Sequence, residues 1–468
     1  MADTKSYFFC GIGGSGMLPL ACIVRAQGAE VAGSDRSLDQ GRIGDKFAFL
    51  ERQGIALFPQ DGSGLTSPEQ VLVASAAVEE TVPDVEAARR LGVERITRAE
   101  LLARLFNEAK LSVGVAGTSG KSTVTGMIAW ILHQAGRDPT VMNGAVMKNF
   151  VTPDAPFASA LAGRGDVFVS EVDESDGSIA LYRPIVAVLN NISLDHKTLE
   201  ELRGLFRDFA LKAEKVVVNL DDPETRELAA GLPPERLVAF SFAGREARLT
   251  SPGIEEQAGA THFDVTDRET GETHHATVNL WGAHNARNGV AALAAAVAAG
   301  ISLGDAVAAL VDFKGLRRRF ELVGERHGVA VIDDFGHNPD KIAATLRAAK
   351  SGLQGRLLIF FQPHGFGPLK LMKDPLIATF GEGMGADDVL ILSDPVYFGG
   401  TADRSVGSDA IIAGVRAAGR QAEHIPDRAD SGRRLAALAR PGDRILIMGA
   451  RDDTLSRFAE EVLEDLSG

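Results

Sequence analysis

Short apolar runs alternate along the chain with longer segments whose apolar residues recur at helical spacing. Three stretches each begin with an apolar run that leads into glycines or a polar loop. Such runs predict buried strands, and strands that alternate with helices favour parallel sheets covered by helices. The pattern therefore predicts an α/β fold.

The first predicted strand runs directly into a G-x-G-x-x-G pattern that begins at Gly11. A predicted helix follows, and Asp35 ends the next strand. In this context glycines let the backbone approach a pyrophosphate, the helix N-terminus donates N–H groups, and the acid accepts a ribose hydroxyl. NAD and UDP-sugars both fit this chemistry, and a tight turn without a ligand is the structural alternative. The predicted substrate-binding residues of this loop are Gly13, Ser15, Gly16 and Asp35.

A second loop of small residues follows the strand predicted at 111–116, and a helix is predicted from about 123 to 134. Backbone N–H groups of such a loop wrap a phosphate, a lysine neutralises the β- and γ-phosphates, and a serine hydroxyl can ligate Mg²⁺. The spacing departs from the usual P-loop, because Val115 stands where that motif has its first glycine. The residues of the predicted ATP site are Gly117, Thr118, Ser119, Gly120, Lys121, Ser122 and Thr123.

Acidic and polar side chains follow two further predicted strands of the same sheet. Glu171 opens a segment with four acids in six residues, and Asp195 and His196 follow the strand that ends at Asn190. Carboxylates held together at the end of a buried strand need a cation or a basic substrate to compensate them. The acidic segment therefore predicts a Mg²⁺ site, with a solvated acidic loop as the alternative, and His196 taken alone is as well explained as a loop histidine.

These patterns predict three domains, as expected for a chain of 468 residues, which is too long for one hydrophobic core. We predict a Rossmann-like N-terminal domain over 1–107, a P-loop-type central ATPase domain over 108–322 and a Rossmann-like C-terminal domain over 323–468. Between about 245 and 280, alternating Thr, His and Val predict antiparallel strands on one edge of the central sheet.

Charge and hydropathy limit the classes of partner. The net charge is −14, whereas binding to nucleic acid needs clustered Lys and Arg. No apolar run reaches the roughly 18 to 20 residues that span a bilayer, and the N-terminus lacks the pattern of a signal peptide. We expect a cytoplasmic protein that acts on small molecules, without nucleic acid or membrane as partner.

Six segments, taken in order, resemble the landmarks of the Mur ligase family over nearly the whole chain. They are Gly117–Ser122, Asn191–His196 and Arg318–Phe320, with the longer segments Glu171–Asp176, Gly282–Asn288 and Asp333–Pro339. The resemblance implies a three-domain ligase that forms an amide bond through an acyl phosphate. The first domain would hold a UDP-sugar carboxylate such as UDP-N-acetylmuramate, the second ATP and Mg²⁺, and the third an amino acid such as L-alanine, or a peptide.

By matching positions, the resemblance also implies roles for single residues. It implies catalytic roles for Lys121, Glu171 and His196, and Mg²⁺ ligation by Ser122, Glu171 and His196. It adds His337 to the substrate-binding residues. The ATP contacts that it implies outside the loop are Asn285, Asn288, Arg319 and Asp334.

Several positions depart from the family pattern. Ser119 and Asn338 stand where the related subgroup has histidine, and Gly365–Pro368 replaces an arginine-rich stretch. The added amine and the UDP-linked donor therefore stay open. A Mur-like ligase acting on a carboxylate outside peptidoglycan is one alternative, and a nicotinamide-dependent oxidoreductase, read from the first glycine loop alone, is another. The sequence does not predict an oligomeric state.

Overall fold

A computed structural model describes residues 5–76, 78–193, 197–257, 259–395, 404–450, 452 and 454–466 of the chain. The chain divides into two compact units, Met1–Gly315 and Leu316–Gly468. The domain boundaries at 107 and 322 stay predictions. Within the described residues, no helix is both long enough and apolar enough to span a membrane.

The first part of the first unit is a parallel sheet covered by helices. Its strands are β1 (Ser6–Cys10), β2 (Glu30–Ser34), β3 (Ala56–Phe58), β4 (Gln70–Ala74) and β5 (Glu94–Thr97). Its helices are α1 (Met17–Ala26), α2 (Arg36–Asp39), α3 (Gly44–Arg52), α4 (Pro83–Leu91) and α5 (Arg98–Glu108). The order β3-β2-β1-β4-β5 reverses direction at β1, and ligands bind at such a switch point in open α/β sheets. The predicted glycine loop follows β1 directly.

A second sheet forms the rest of the first unit. Its strands are β6 (Leu111–Ala116), β7 (Thr140–Met142), β8 (Ala160–Leu161), β9 (Val167–Glu171), β10 (Val186–Leu189), β11 (Lys215–Asn219), β12 (Leu237–Ser241), β13 (Leu249–Thr250), β14 (Glu255–Gln257), β15 (Ala260–Asp267) and β16 (Thr273–Val278). Its helices are α6 (Lys121–Gln134), α7 (Leu199–Lys212), α8 (Pro223–Ala230), α9 (Ala283–Ala298) and α10 (Leu303–Leu310).

The order of this sheet brings the candidate chemistry to one edge. It runs β14-β15-β13-β12-β11-β10-β6-β9-β7-β8, and β16 pairs with β15. Strands β9 and β10 flank β6 in parallel, so the loops after all three strands leave at the same edge. The antiparallel pairing of β15 with β13, β14 and β16 agrees with the predicted edge strands.

Helix α6 begins two residues earlier than the sequence analysis predicted. Its N-cap is Gly120, whose φ of +83° turns the chain sharply into the helix, so Lys121 is already helical. Residues on every side of α6 are buried, and it packs against α9, which is rich in alanine. Small side chains let two helices approach closely, and this packing holds the start of α6 in place.

The second unit contains a third sheet. Its strands are β17 (Glu321–Arg326), β18 (Val329–Asp334), β19 (Leu357–Gln362), β20 (Val389–Leu392), β21 (Gln421–His424) and β22 (Arg444–Gly449). Its helices are α11 (Pro339–Lys350), α12 (Phe366–Leu371), α13 (Lys373–Gly383), α14 (Ser408–Ala417), α15 (Arg428–Leu438) and α16 (Leu455–Asp465). In the order β17-β18-β22-β19-β20-β21, only β17 pairs antiparallel among the strands described.

Candidate active site

The loop between β6 and α6 depends on two glycines. Gly117 has a φ of +129° and Gly120 a φ of +83°, both in the region that disfavours other residues. A Cβ atom on Gly117 would lie 2.9 Å from the Asn191 carbonyl oxygen, and one on Gly120 would lie 2.6 Å from Asn288 Oδ1. The loop therefore passes too close to its neighbours for a side chain at either position.

Asn191 and Ser193, which follow β10, brace this loop. The Asn191 carbonyl oxygen accepts the Thr118 N–H at 3.0 Å, and Asn191 Oδ1 accepts the Ser119 N–H at 2.8 Å. The Thr118 hydroxyl exchanges hydrogen bonds with the backbone of Ser193. The N–H groups of residues 118 and 119 thus have protein partners, whereas those of the first turn of α6 have none within the helix. The latter are the donors best suited to a phosphate.

Lys121 lies folded back over the loop. Its Nζ donates to the Gly117 carbonyl oxygen at 2.8 Å and to the two carboxylate oxygens of Glu174 at 3.2 and 3.0 Å. The side chains of Lys121 and Glu174 are 15% and 5% exposed. Glu174 belongs to the predicted acidic segment, but no separate role was predicted for it.

Asn288 lies directly beside the loop. Its Oδ1 accepts a hydrogen bond of 3.1 Å from Asn190 Nδ2, which also donates to the Ser119 carbonyl oxygen at 3.2 Å. Asn285, one helical turn earlier, donates to the Trp281 carbonyl oxygen. All three asparagines are buried. The structure thus brings the predicted residue Asn288 to the loop and adds Asn190, whose only sequence signal was its place at the end of a buried strand.

Side-chain oxygens that could ligate a divalent cation lie at the end of β9 and directly after β7. Glu171 ends β9 opposite Val115, and its Oε2 accepts the Gly144 N–H at 2.9 Å. The neighbouring Asn143 donates to the Ser122 carbonyl oxygen, while its own Oδ1 is buried without a partner among the described residues.

The described residues contain no group of three or more His, Cys, Asp or Glu side chains that could hold a metal. The predicted ligand His196 lies outside them, as does Asp195. A serine hydroxyl, the Glu171 carboxylate and an unpaired amide oxygen nonetheless fit Mg²⁺, which prefers oxygen ligands.

In the first sheet, Asp35 braces the glycine loop. Its Oδ2 accepts the Gly13 N–H at 2.9 Å, and its Oδ1 accepts the Ser37 N–H at 2.7 Å. Because both oxygens already bond to the backbone, a ribose hydroxyl would have to share one of them. The observed role of the carboxylate is therefore to stabilise the backbone conformation of the glycine loop.

The other glycine-loop positions differ in their surroundings. Ser15 is exposed, whereas a Cβ atom on Gly16 would lie 3.1 Å from the Arg98 side chain. Arg98 Nη2 lies 3.9 Å from Asp176 Oδ2, in the acidic segment of the next sheet. Arg98 was not among the predicted residues, although it follows β5 at the edge of the sheet that carries the glycine loop.

In the second unit, the carboxylate of Asp334, at the end of β18, accepts hydrogen bonds from three neighbouring segments of the chain. Its carboxylate accepts the N–H groups of Phe320 and Gly336 and the hydroxyl of Thr345, each at 2.8 Å. The guanidinium of Arg319 lies 4.6 Å from the centre of the Phe335 ring. The arrangement holds Arg319 and Asp334 near each other within this unit, and their contact with ATP stays a prediction.

His337 lies among cations in the same unit. Its Nδ1 contacts the Phe335 carbonyl oxygen at 3.0 Å, and its ring centre is 5.4 Å from that of His364. Burial is the main cause that lowers the pKa of His337 to about 4; the charges of Lys341, His364 and Arg319 act in the same direction, and the hydrogen bond with the Phe335 carbonyl opposes them. The imidazole is therefore neutral near pH 7, and the surrounding charges favour an anionic ligand.

The preceding pair, Arg318 and Asp333, is structural. Arg318 donates to the carbonyl oxygens of Asp452 and Gly449 at 2.8 and 2.6 Å, and its Nε lies 3.5 Å from Asp333 Oδ1. Asp333 is fully buried, and burial raises its pKa to about 7. Arg318 thus links the chain before β17 to β18 and to the end of β22.

A lysine-bearing loop between a buried parallel strand and a central helix, with a carboxylate on the neighbouring strand, defines an α/β protein that binds nucleotide phosphates. Family models match the same regions. They are "Mur ligase family, catalytic domain" at 6–110, "Mur ligase middle domain" at 115–296 and "Mur ligase, glutamate ligase domain" at 318–451. The chain belongs to the Mur ligase family.

Two relatives that match this chain over nearly their full length have the same name. The UDP-N-acetylmuramate–L-alanine ligase of Cereibacter sphaeroides is 34% identical over 98% of this chain and 96% of its own. That of Pelotomaculum thermopropionicum is 34% identical over 97% and 96%. Among solved structures, the Thermotoga maritima UDP-N-acetylmuramate-alanine ligase has a TM-score of 0.76 at 23% identity over 98% of both chains. The murein peptide ligase of Psychrobacter arcticus has a TM-score of 0.70 at 24% identity over 99% of this chain and 98% of its own.

These matches confirm the predicted α/β architecture of the family and the predicted class of enzyme, an ATP-dependent ligase that forms an amide bond. They support this prediction and not the nicotinamide-dependent oxidoreductase. The roles of the single site residues stay predictions.

Proposed function

We propose that this ligase joins the lactyl carboxylate of UDP-N-acetylmuramate to the amine of L-alanine and converts ATP to ADP and phosphate. The relatives that are named for this reaction cover nearly the whole chain, including the first sheet and the second unit. The observation that carries the proposal is the loop of residues 117–123, with the Lys121 side chain folded over it and Asn288 beside Gly120. The reaction consumes ATP and a nucleotide sugar, so we also propose a cytoplasmic location.

The loop supplies positioning and charge for phosphoryl transfer. The N–H groups at the start of α6 bind phosphate oxygens, and Lys121 neutralises charge on the β- and γ-phosphates. Ser122 and Glu171, with His196, would hold Mg²⁺, which when bound screens the charge between the phosphates and the incoming carboxylate. Asn190 keeps Asn288 against the loop, so the nucleotide contacts on α6 and α9 are held together.

The chemistry proceeds in two displacements. A carboxylate oxygen of the donor attacks the γ-phosphorus, and the bond between that phosphorus and the bridging oxygen of ADP breaks. The amine then attacks the acyl carbon, its proton is lost, and phosphate leaves with one oxygen of the original carboxylate. Preorganised cations lower the barrier of the first step because negative charge builds up on the transferring group.

We assign the UDP moiety to the glycine loop after β1. Asp35 fixes the loop through the Gly13 N–H, and Ser15 offers an exposed hydroxyl. For the amino acid, His337 lies beside the cationic side chains of Arg319 and Lys341, which suit the carboxylate of L-alanine.

Phosphate release with ATP, Mg²⁺ and UDP-N-acetylmuramate tests the proposal, with each amino acid in turn and with the tripeptide that muropeptide ligases add. We expect release to depend on both the donor and L-alanine, and to fall about a hundredfold or more in Lys121→Ala, as on removal of a single preorganised donor. Lys110→Ala, which removes an exposed lysine in the same unit, is the matched control. Release that needs no amine, or that needs only the tripeptide, would refute the proposed acceptor.

A further inference from the structure

Glu174 differs from the acids around it. Asp173 and Asp176 in the same segment are exposed, whereas the side chain of Glu174 is 5% exposed. Among the described residues, the only hydrogen-bond partner of its carboxylate is Lys121. When a buried carboxylate has a single cationic partner, removing that partner leaves an uncompensated buried charge, which is strongly destabilising.

All three N–H donors of the Lys121 ammonium group have acceptors in this structure. An ammonium group has three N–H donors and no acceptor. They are matched by the Gly117 carbonyl oxygen at 2.8 Å and by Glu174 Oε1 and Oε2 at 3.2 and 3.0 Å. A phosphate can therefore bond to Lys121 only if one of these three bonds is given up, and two of the three are to the Glu174 carboxylate.

We propose that Glu174 is a positioning residue, the counter-ion that holds Lys121 over the loop between turnovers and is exchanged for the phosphates of the nucleotide. This inference rests on the proposed function, because it takes Lys121 as the phosphate ligand. The carboxylate keeps the long lysine side chain ordered and close to the loop. It also competes with phosphate for the same donors, so the affinity for nucleotide is set by the difference between the two interactions.

A purely structural role for the ion pair between Glu174 and Lys121 predicts a different effect on nucleotide binding. If Glu174 only held its segment in place, removing its charge would weaken nucleotide binding or leave it unchanged. If it competes with phosphate, removing the charge frees donors of Lys121 and takes a negative charge away from the phosphates. Nucleotide binding should then become tighter, which is an effect that loss of structure does not produce.

The test is the dissociation constant of Mg-ADP, measured by titration calorimetry on the full chain. Glu174→Gln keeps the shape of the side chain and is expected to bind ADP about tenfold more tightly, the lower end of the contribution of a charged hydrogen bond. Glu174→Asp draws the carboxylate back from Lys121 and is expected to tighten binding about threefold, between wild type and Glu174→Gln on the same scale. Asp166→Asn removes one exposed charge from the other end of β9 and is expected to leave affinity unchanged.

The outcomes separate the two proposals. If Lys121→Ala binds ADP as tightly as wild type, the phosphate loop itself is wrong, and with it the proposed function. If Lys121→Ala loses affinity but Glu174→Gln binds equally or more weakly, only the exchange is refuted. Should Glu174→Gln fail to fold, Glu174→Asp decides alone, and an affinity no tighter than that of wild type overturns the exchange.

Discussion

Gly120→Ala tests whether the close approach of α6 and α9 shapes the phosphate loop. The alanine must adopt a φ of +83°, which costs an L-residue about 1–2 kcal/mol. Its Cβ would also lie 2.6 Å from Asn288 Oδ1 and 2.7 Å from Asn190 Nδ2, so the hydrogen bond between these buried amides must break. An unpaired buried amide costs about 1–3 kcal/mol. We expect Gly120→Ala to lose about 2–5 kcal/mol of unfolding free energy, the sum of these two terms.

Gly136→Ala, just beyond the other end of α6, is the control. Gly136 has a φ of +73°, and no atom of the described residues lies within 4 Å of a Cβ atom built there. It should therefore cost only the backbone term, about 1–2 kcal/mol. The gain from restricting the unfolded chain is the same in both variants and cancels in the comparison.

Tryptophan fluorescence during urea unfolding measures both variants. The two tryptophans of the chain, Trp130 and Trp281, lie in the first unit, so the signal reports that unit alone. Displacement of Asn288 should also weaken ATP binding in Gly120→Ala and not in Gly136→Ala. Equal unfolding costs for the two variants, with equal ATP affinity, would refute the proposed contact between the loop and Asn288.

Three further predictions concern other parts of the chain. Asp35→Ala removes two backbone hydrogen bonds and should lower the stability of the first unit by about 1–3 kcal/mol, read by the same fluorescence, and weaken binding of UDP. Arg318→Met leaves Asp333 buried without its cation and should destabilise the second unit by about 3–5 kcal/mol, seen as faster hydrogen exchange in β18. His337 should titrate near pH 4 by NMR. Below pH 6.5 the unfolded chain takes up a proton that the folded chain refuses, so His337 should lower the stability of this unit as the pH falls from 6.5 towards 4, and His337→Gln should remove that dependence.

Each of these predictions has its own control and its own contrary result. Glu51→Ala removes an exposed acid from helix α3 of the same unit, and equal effects of the two variants on UDP binding would count against a role for Asp35. Arg440→Met removes an exposed arginine from the second unit and is the control. The same hydrogen-exchange rates of β18 in both variants would mean that Arg318 does not stabilise this unit. A His337 midpoint at 6 or above would contradict the buried, cationic surroundings described for it.

The sequence was sufficient where chemistry and periodicity agree. Buried parallel strands show as apolar runs, and the strand predicted at 111–116 is observed as β6, Leu111–Ala116. The loop at 117–123 was recognisable because glycines, a lysine and hydroxyls follow one of those strands. The start of α6 was placed too late, because only the backbone shows that Gly120 has a positive φ and ends the loop.

Contacts between distant parts of the chain could not be predicted. Asn190, Glu174 and Arg98 lie far from their partners in sequence, and each residue type is common on surfaces and at turns. The contacts of Asp35 could not be predicted from the sequence either. An acid at the end of the second strand predicts a ribose contact, but only the structure shows that both of its oxygens bond to the backbone.

Transfer of oxygen from donor to phosphate is the most direct test of the proposed ligase chemistry. UDP-N-acetylmuramate labelled with ¹⁸O in its carboxylate is incubated with ATP, Mg²⁺ and L-alanine, and the phosphate released is analysed by mass spectrometry. An acyl phosphate requires that each phosphate released by amide formation carries one oxygen of that carboxylate. We predict one ¹⁸O in the phosphate for each amide bond formed. Amide product together with unlabelled phosphate would contradict the mechanism.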